Sequence, residues 1–332
     1  MPACATVRAS GYLIKDRKYA LGSGFCTMSE QVFITDVGPR DGLQNQTKLL
    51  SVEQRVALIL ALADAGVAQI EVGSFVSPKA VPAMANTDLV VAALQTQSRY
   101  KASNIALIPN LKGYQLARTA GLPRVVMVLY ASDSMAQKNA GMSMAEANRV
   151  TLQILDEAVR DQIQVVATIA VVFECPFEGP IDPRVSESLV DQFLAAGAHQ
   201  VVLADTIGAA DPQQVRSLTA RLVQNHDANR LGCHFHDTRA MGLANVYAAL
   251  ESGVRRFDSS IAGLGGCPFA PGATGNVATD DVVMMLQQMG FETGIDLKKL
   301  LEASELAGQM TGSDKGGRAK AWLLGQLKKN AL

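Results

Sequence analysis

The chain has 332 residues, is 48% hydrophobic and 18% charged, and carries 30 basic against 31 acidic residues for a net charge of −1. This length suits one large α/β barrel or two ordinary domains and excludes a small stapled scaffold. The near-neutral balance, with no long basic run, argues against nucleic acid or an anionic membrane surface as the main partner. Apolar runs such as Val56 to Ala63 and Val165 to Phe173 are far shorter than the ~20 residues a spanning helix needs. Five cysteines, Cys4, Cys26, Cys175, Cys233 and Cys267, form an odd set without CxxC spacing, as expected of reduced thiols in the cytoplasm.

Residues 1–30 hold mixed charges and no continuous apolar core, and read as an N-terminal extension set apart from the fold. Beyond them, short β-branched runs alternate with stretches of helical period, the pattern of βα units. The predicted strands are Gln31–Asp36, Ala68–Val72, Asn104–Ile108, Arg124–Leu129, Gln164–Val172, Gln200–Ala204, Leu231–Phe235 and Arg256–Ile261. Eight strands predict a (β/α)8 TIM barrel over 31–295. Between the first two, Val52–Ala65 is a helix with Ser51 as N-cap and Gly66 as its stop. The same stop recurs at Gly121, Gly197 and Gly253. A short helical C-terminal extension follows over 296–332, with Leu297, Leu300 and Leu301 at helical spacing, then TGSDKGGRAK, which reads as a mobile loop.

In a barrel, chemistry sits where strands end and βα loops begin. There the sequence places Asp36 and Arg40-Asp41, Glu71, Glu174-Cys175, Asp205, His234 and His236, and the glycine-dense loop Gly263–Asn276 with Cys267. His234 and His236 are two apart on a strand, so both imidazoles project to one face, half of a divalent-metal site. Asp41 and an amide oxygen would complete a set suited to Mg²⁺ or Mn²⁺ rather than to closed tetrahedral zinc. Arg40 offers a permanent cation for a developing oxyanion or a carboxylate. The glycine-dense loop is neither a P-loop nor a dinucleotide fingerprint, and reads as a lid carrying Cys267. Cys175 reads as structural.

The motifs DVGPRDGLQNQ (36–46), EVGSFVSPKAVPAM (71–84), PNLKGY (109–114), CPFEG (175–179), ADTIG (204–208), HFHDT (234–238) and SIAGLGGCPFAPGATGNVATDD (260–281) together resemble the 3-hydroxy-3-methylglutaryl-CoA lyases, metal-dependent TIM-barrel enzymes. The resemblance implies retro-Claisen cleavage of 3-hydroxy-3-methylglutaryl-CoA to acetyl-CoA and acetoacetate, as in leucine degradation, with Mg²⁺ or Mn²⁺. It implies Asp41, His234, His236 and Asn276 as metal ligands and Arg40 as the enolate's partner. Glu71 and Asp205 would position or relay protons, and Cys267 would carry one. Which group takes the hydroxyl proton, a histidine or Asp41, stays open. An acyl-CoA is the expected partner, and the family's habit suggests a homo-oligomer, a dimer or higher. Departures from the pattern are Asp36 in place of Glu, Thr47 before Lys48, the bulky Val171–Glu174 run, and Arg239 after the histidines. Competing readings are the same chemistry on another branched 3-hydroxyacyl-CoA such as 3-hydroxy-3-isohexenylglutaryl-CoA, a condensing enzyme, for which the tail leaves no regulatory domain, and a non-catalytic barrel.

Overall fold

The computed structural model describes residues 30–266, 275–313 and 316–329. Eight parallel strands close into a barrel: β1 (Phe33–Asp36), β2 (Gln69–Ser74), β3 (Ser103–Leu107), β4 (Arg124–Tyr130), β5 (Gln164–Ala170), β6 (Gln200–Asp205), β7 (Leu231–Phe235) and β8 (Arg256–Ser259). Their spatial order is their chain order, with β8 pairing back onto β1. Parallel strands covered by helices are buried on both faces and therefore read as continuous aliphatic runs. β4, RVVMVLY, shows this pattern and is paired to β5 along its whole length.

The helix after β1, α1 (Val52–Asp64), starts at a reciprocal cap. Ser51 accepts from the Gln54 N–H, and the Gln54 side chain returns to the Ser51 N–H. Leu58, Ile59 and Leu62 bury one face of α1 against the barrel, as the helical period requires. At the helix end Gly66 adopts φ +96°, and a β-carbon there would lie 2.3 Å from the Gly294 carbonyl oxygen. Only glycine fits that turn.

Two strands stop earlier than their composition predicts. β5 ends at Ala170 because Val171 turns to φ +56°, a rare conformation for a β-branched residue, with its N–H on the Thr206 hydroxyl at 2.9 Å. Beyond it, Glu174–Cys175 and Gly179–Pro180 form a two-residue antiparallel ribbon. β8 ends at Ser259, ahead of a turn in which Ala262 has φ +56°.

After the barrel helix α2 (Thr279–Gln288) come α3 (Leu297–Thr311), which packs on α1, and α4 (Lys320–Lys328). The segment expected to be a mobile loop is held at its described end. The backbone N–H of Gly317 donates to Asp280, those of Arg318 and Ala319 donate to Asp281, and the Arg318 guanidinium pairs with Asp237 at 2.7 Å. Glycine content predicts freedom, but two buried carboxylates at the start of α2 supply acceptors that restrain it. Among the described residues no helix is long and apolar enough to cross a membrane.

Candidate active site

The first βα turn, Gly38–Gly42, is a wide π-type helical turn, a geometry that recurs at functional sites. Asp36 organises it from the end of β1. Its buried carboxylate accepts from Gly38 N–H at 2.8 Å, from Ile261 N–H at 3.3 Å and from the Thr279 hydroxyl at 2.7 Å. One side chain thus ties the turn to the β8 loop and to the start of α2. Burial raises Asp36 to a pKa of about 6 despite these donors.

The turn aims Arg40 and Asp41 together at the C-terminal rim. Arg40 Nη1 lies 2.7 Å from Asp41 Oδ1, and its Nε lies 2.9 Å from Oε2 of Glu71 on β2. The other Glu71 oxygen is buried with no partner. Burial pushes Glu71 up to about 7 against the pull of Arg40, so it changes charge near neutrality. For Asp41, burial works the same way, but Arg40, His234 and His236 outweigh it and hold the carboxyl near 2.

His234, on β7, and His236, just past its end, both reach the same rim, their ring centroids 5.3 Å apart. Asp41, His234 and His236 each bring a potential ligand atom within 4.8 Å of the others. Asn276 closes the group. It bridges to His236 through the backbone, and its Nδ2 donates to Asp41 Oδ2 at 2.8 Å and to the Leu264 carbonyl at 3.1 Å. That leaves Asn276 Oδ1 and His236 Nδ1 buried without a hydrogen-bond partner. Buried polar atoms are rarely left so, and a hard divalent cation would satisfy both: one carboxylate, two imidazoles and an amide oxygen are donors it accepts. Burial and the neighbouring His234 lower His236 to about 4, keeping its imidazole neutral for ligation.

Asp258 on β8 was not singled out by the sequence, yet it belongs here. Its Oδ2 lies 3.3 Å from His234 Nδ1, and it lines the cavity beneath the cluster. The available signal was an acidic residue between Phe257 and Ser259 in a buried strand, on the inward parity of a barrel.

Asp205 is placed differently from the residues above. Ala204 faces the cavity in register with His234, so strand alternation turns Asp205 away. Its carboxylate accepts from the Ala209 and Ala210 N–H groups at 2.8 and 3.1 Å. Arg239 does not line the cavity either; its Nε donates to the Gly208 carbonyl, in the loop after β6, at 3.0 Å. Cys175 is buried, 3.0 Å from the Ser132 hydroxyl, in keeping with a structural thiol. Cys267 lies outside the described residues. The cavity under the rim measures about 510 Å³ and includes Gly266 in its wall.

A closed (β/α)8 barrel with an Asp–His–His–Asn group at its C-terminal rim defines a TIM-barrel protein with a candidate divalent-metal centre. The chain belongs to the HMGL-like family, which matches residues 31–307. It is similar to the 3-hydroxy-3-isohexenylglutaryl-CoA/hydroxy-methylglutaryl-CoA lyase of Pseudomonas aeruginosa, 39% identical over 297 residues, covering 90% of this chain and 98% of that one. Among solved structures it resembles the hydroxymethylglutaryl-CoA lyase from Pseudomonas aeruginosa, at TM-score 0.86 and 38% identity over 90% of this chain and 99% of that one. It also resembles an HMG-CoA lyase from Acenitobacter baumannii in complex with coenzyme A and 3-methylmalate, at TM-score 0.84 and 37% identity over 90% and 96% of the two chains.

Proposed function

We infer that this protein is a divalent-metal-dependent carbon–carbon lyase that cleaves 3-hydroxy-3-methylglutaryl-CoA to acetyl-CoA and acetoacetate. The observation that carries the reading is the convergence of Asp41, His234 and His236 beside the Arg40–Glu71 pair at one rim. Asp41, His234, His236 and Asn276 would hold the cation, with Mg²⁺ or Mn²⁺ favoured by the oxygen-containing donor set. When bound, the cation lowers the pKa of the substrate's tertiary hydroxyl.

Loss of that hydroxyl proton breaks the C2–C3 bond, leaving acetoacetate and an enolate of acetyl-CoA. Negative charge then appears on the thioester oxygen, where a fixed cation is worth most because the charge develops only in the transition state. Arg40 is suited to this role. Asp41 and Glu71 hold its guanidinium in place, so little reorganisation is needed as the charge forms. Protonation at C2 completes the reaction. Cys267 is the proposed donor, as a thiol of pKa near ~8.5 is competent, with Glu71, which titrates near neutrality, moving the proton at the rim. Asp205 acts through the loop whose amides it holds.

The test is mass-spectrometric identification of products from 3-hydroxy-3-methylglutaryl-CoA with Mg²⁺ or Mn²⁺. Acetyl-CoA and acetoacetate in equal amounts are expected. An intact thioester after prolonged incubation with the metal-loaded protein would overturn the assignment.

A further inference from the structure

The far end of the barrel, where the strands begin, carries charge that the reading above leaves unused. Asp258 on β8 and Val126 on β4 line the cavity, so strand alternation puts Arg256 and Arg124, two residues earlier, on the same inward parity at the opposite end. Arg256 is the register partner of Phe33 on β1, and its guanidinium sits over that ring at 4.5 Å. Arg124 is the register partner of Gln164 and donates to its Oε1 through Nε and Nη2. Its Nη2 also lies 3.3 Å from Nε2 of His199, the residue before β6. Arg230, the residue before β7, completes the group. All four side chains are half-buried and so remain open to solvent.

The partners of these guanidiniums are neutral. Arg230 donates to the Leu194 and Ala198 carbonyls at 3.0 and 2.6 Å, and Arg256 Nε donates to the Asn229 carbonyl at 2.8 Å. Elsewhere in the chain Arg118, Arg221 and Arg255 each pair directly with a carboxylate. Asp227 acts on Arg256 only from a distance, because its carboxylate is taken up by the Asn229 N–H and side chain at 2.9 and 3.1 Å. Burial, followed by Arg124, Arg256 and Arg230, holds the His199 imidazole below its usual pKa, so all three cations bear on one point. Like charges drawn together without a counter-ion cost the folded state energy, and a floor that only plugged the barrel would be served better by aliphatic side chains or ion pairs.

We propose that the N-terminal end of the barrel is an anion site, formed by Arg124, Arg230, Arg256 and His199, that takes a phosphate dianion. Guanidinium forks match phosphate oxygens geometrically and keep their charge at any physiological pH. A phosphoryl group carries close to two negative charges near neutrality, which sets it ahead of a single carboxylate against three permanent cations. Inorganic phosphate and the phosphoryl group of a small phosphomonoester share this chemistry. The site lies at the opposite end of the strands from the Asp41–His234–His236 group and does not depend on the lyase reading.

The experiment is calorimetric titration of the full-length, Mg²⁺-loaded protein with inorganic phosphate and, separately, with glycerol phosphate, near neutral pH and at fixed ionic strength held with chloride. Saturable binding to one site is expected, and the tighter of the two ligands identifies the source. Arg256→Gln and Arg124→Gln should each weaken it by about 10–100-fold, the loss of one charge-assisted hydrogen-bonding partner. Arg230→Gln replaces either variant that fails to fold, and the wild-type titration stands by itself. Absence of saturable binding by both ligands would overturn the site. So would binding of undiminished strength in the folded variants, which would place the anion elsewhere on the molecule. Cleavage plays no part in the readout, so either failure leaves the lyase reading intact.

Discussion

His234 and Asp258 are register partners on β7 and β8, and their side chains meet with Nδ1 3.3 Å from Oδ2. Burial alone would lower the imidazole pKa, but Asp258, followed by Asp41, outweighs it and raises the value. A carboxylate at Nδ1 holds the proton there and leaves Nε2 as the lone-pair donor, the arrangement that orients metal-binding histidines. Asp258→Ala should therefore weaken Mn²⁺ binding by about 10–100-fold, read by titration against free Mn²⁺. Asp258→Asn, which keeps an acceptor, should lose less. Equal Mn²⁺ affinity in wild type and Asp258→Ala would rule out this positioning role.

Arg40 stands between two carboxylates, and its replacement tests the enolate assignment. Arg40→Gln should lower kcat by about 10²–10³, the loss of ~3–4 kcal/mol expected when a transition-state charge donor is removed. Arg40→Lys should recover little of it, since a single ammonium does not reproduce a guanidinium fork. Steady-state kinetics at saturating metal separate this from a binding defect, and a kcat within twofold of wild type would refute the role.

Removal of the cation should abolish turnover, and addition of Mg²⁺ or Mn²⁺ should restore it. Asp41→Ala and His236→Ala should raise the metal concentration required, because each removes one donor of a small set. Cys267→Ser, by contrast, should depress turnover with metal affinity preserved. Activity that survives exhaustive EDTA dialysis, with residual metal verified by elemental analysis, would exclude a metal-dependent lyase.

Asp280 supplies a stability prediction away from the cluster. It is fully buried, and burial followed by the neighbouring Asp281 raises it from 3.8 to about 6. A carboxyl with a raised folded-state pKa binds protons more tightly in the native protein, so its ionisation destabilises the fold as pH rises through that range. A shift of this size corresponds to at most about 3 kcal/mol. Asp280→Asn should consequently raise Tm at pH 7–8, with the advantage shrinking toward pH 4, where the wild-type carboxyl is protonated. Thermal melts at both pH values check the sign, and a variant that melts lower at pH 8 would contradict it.

Much of this architecture was legible from local chemistry. The aliphatic runs marked all eight strands to within a few residues, and Ser51 marked the start of α1, though not Gln54 as its reciprocal partner. The spacing of His234 and His236 put both imidazoles on one face before any partner was known. Strand ends were less legible. Val171 and Ala262 have strand-compatible or neutral side chains, yet their backbones turn to positive φ under contacts such as the Thr206 hydroxyl on Val171 N–H. The tail behaved similarly: its glycines predicted freedom, but acceptors 37 and 38 residues earlier in the chain, Asp280 and Asp281, hold it. Asp205 shows the reverse case, a residue at the right place along its strand but on the outward parity.

The sequence by itself determined the eight-fold βα repeat, the rim as the place for chemistry, and the kinds of donor found there, because periodicity, caps and residue type are local properties. Only the closed barrel decided that Asn276 reaches Asp41 across 235 residues of chain and that Asp258 supports His234. Those outcomes depend on strand register and closure, which bring distant segments to atomic contact and which no short window of sequence specifies.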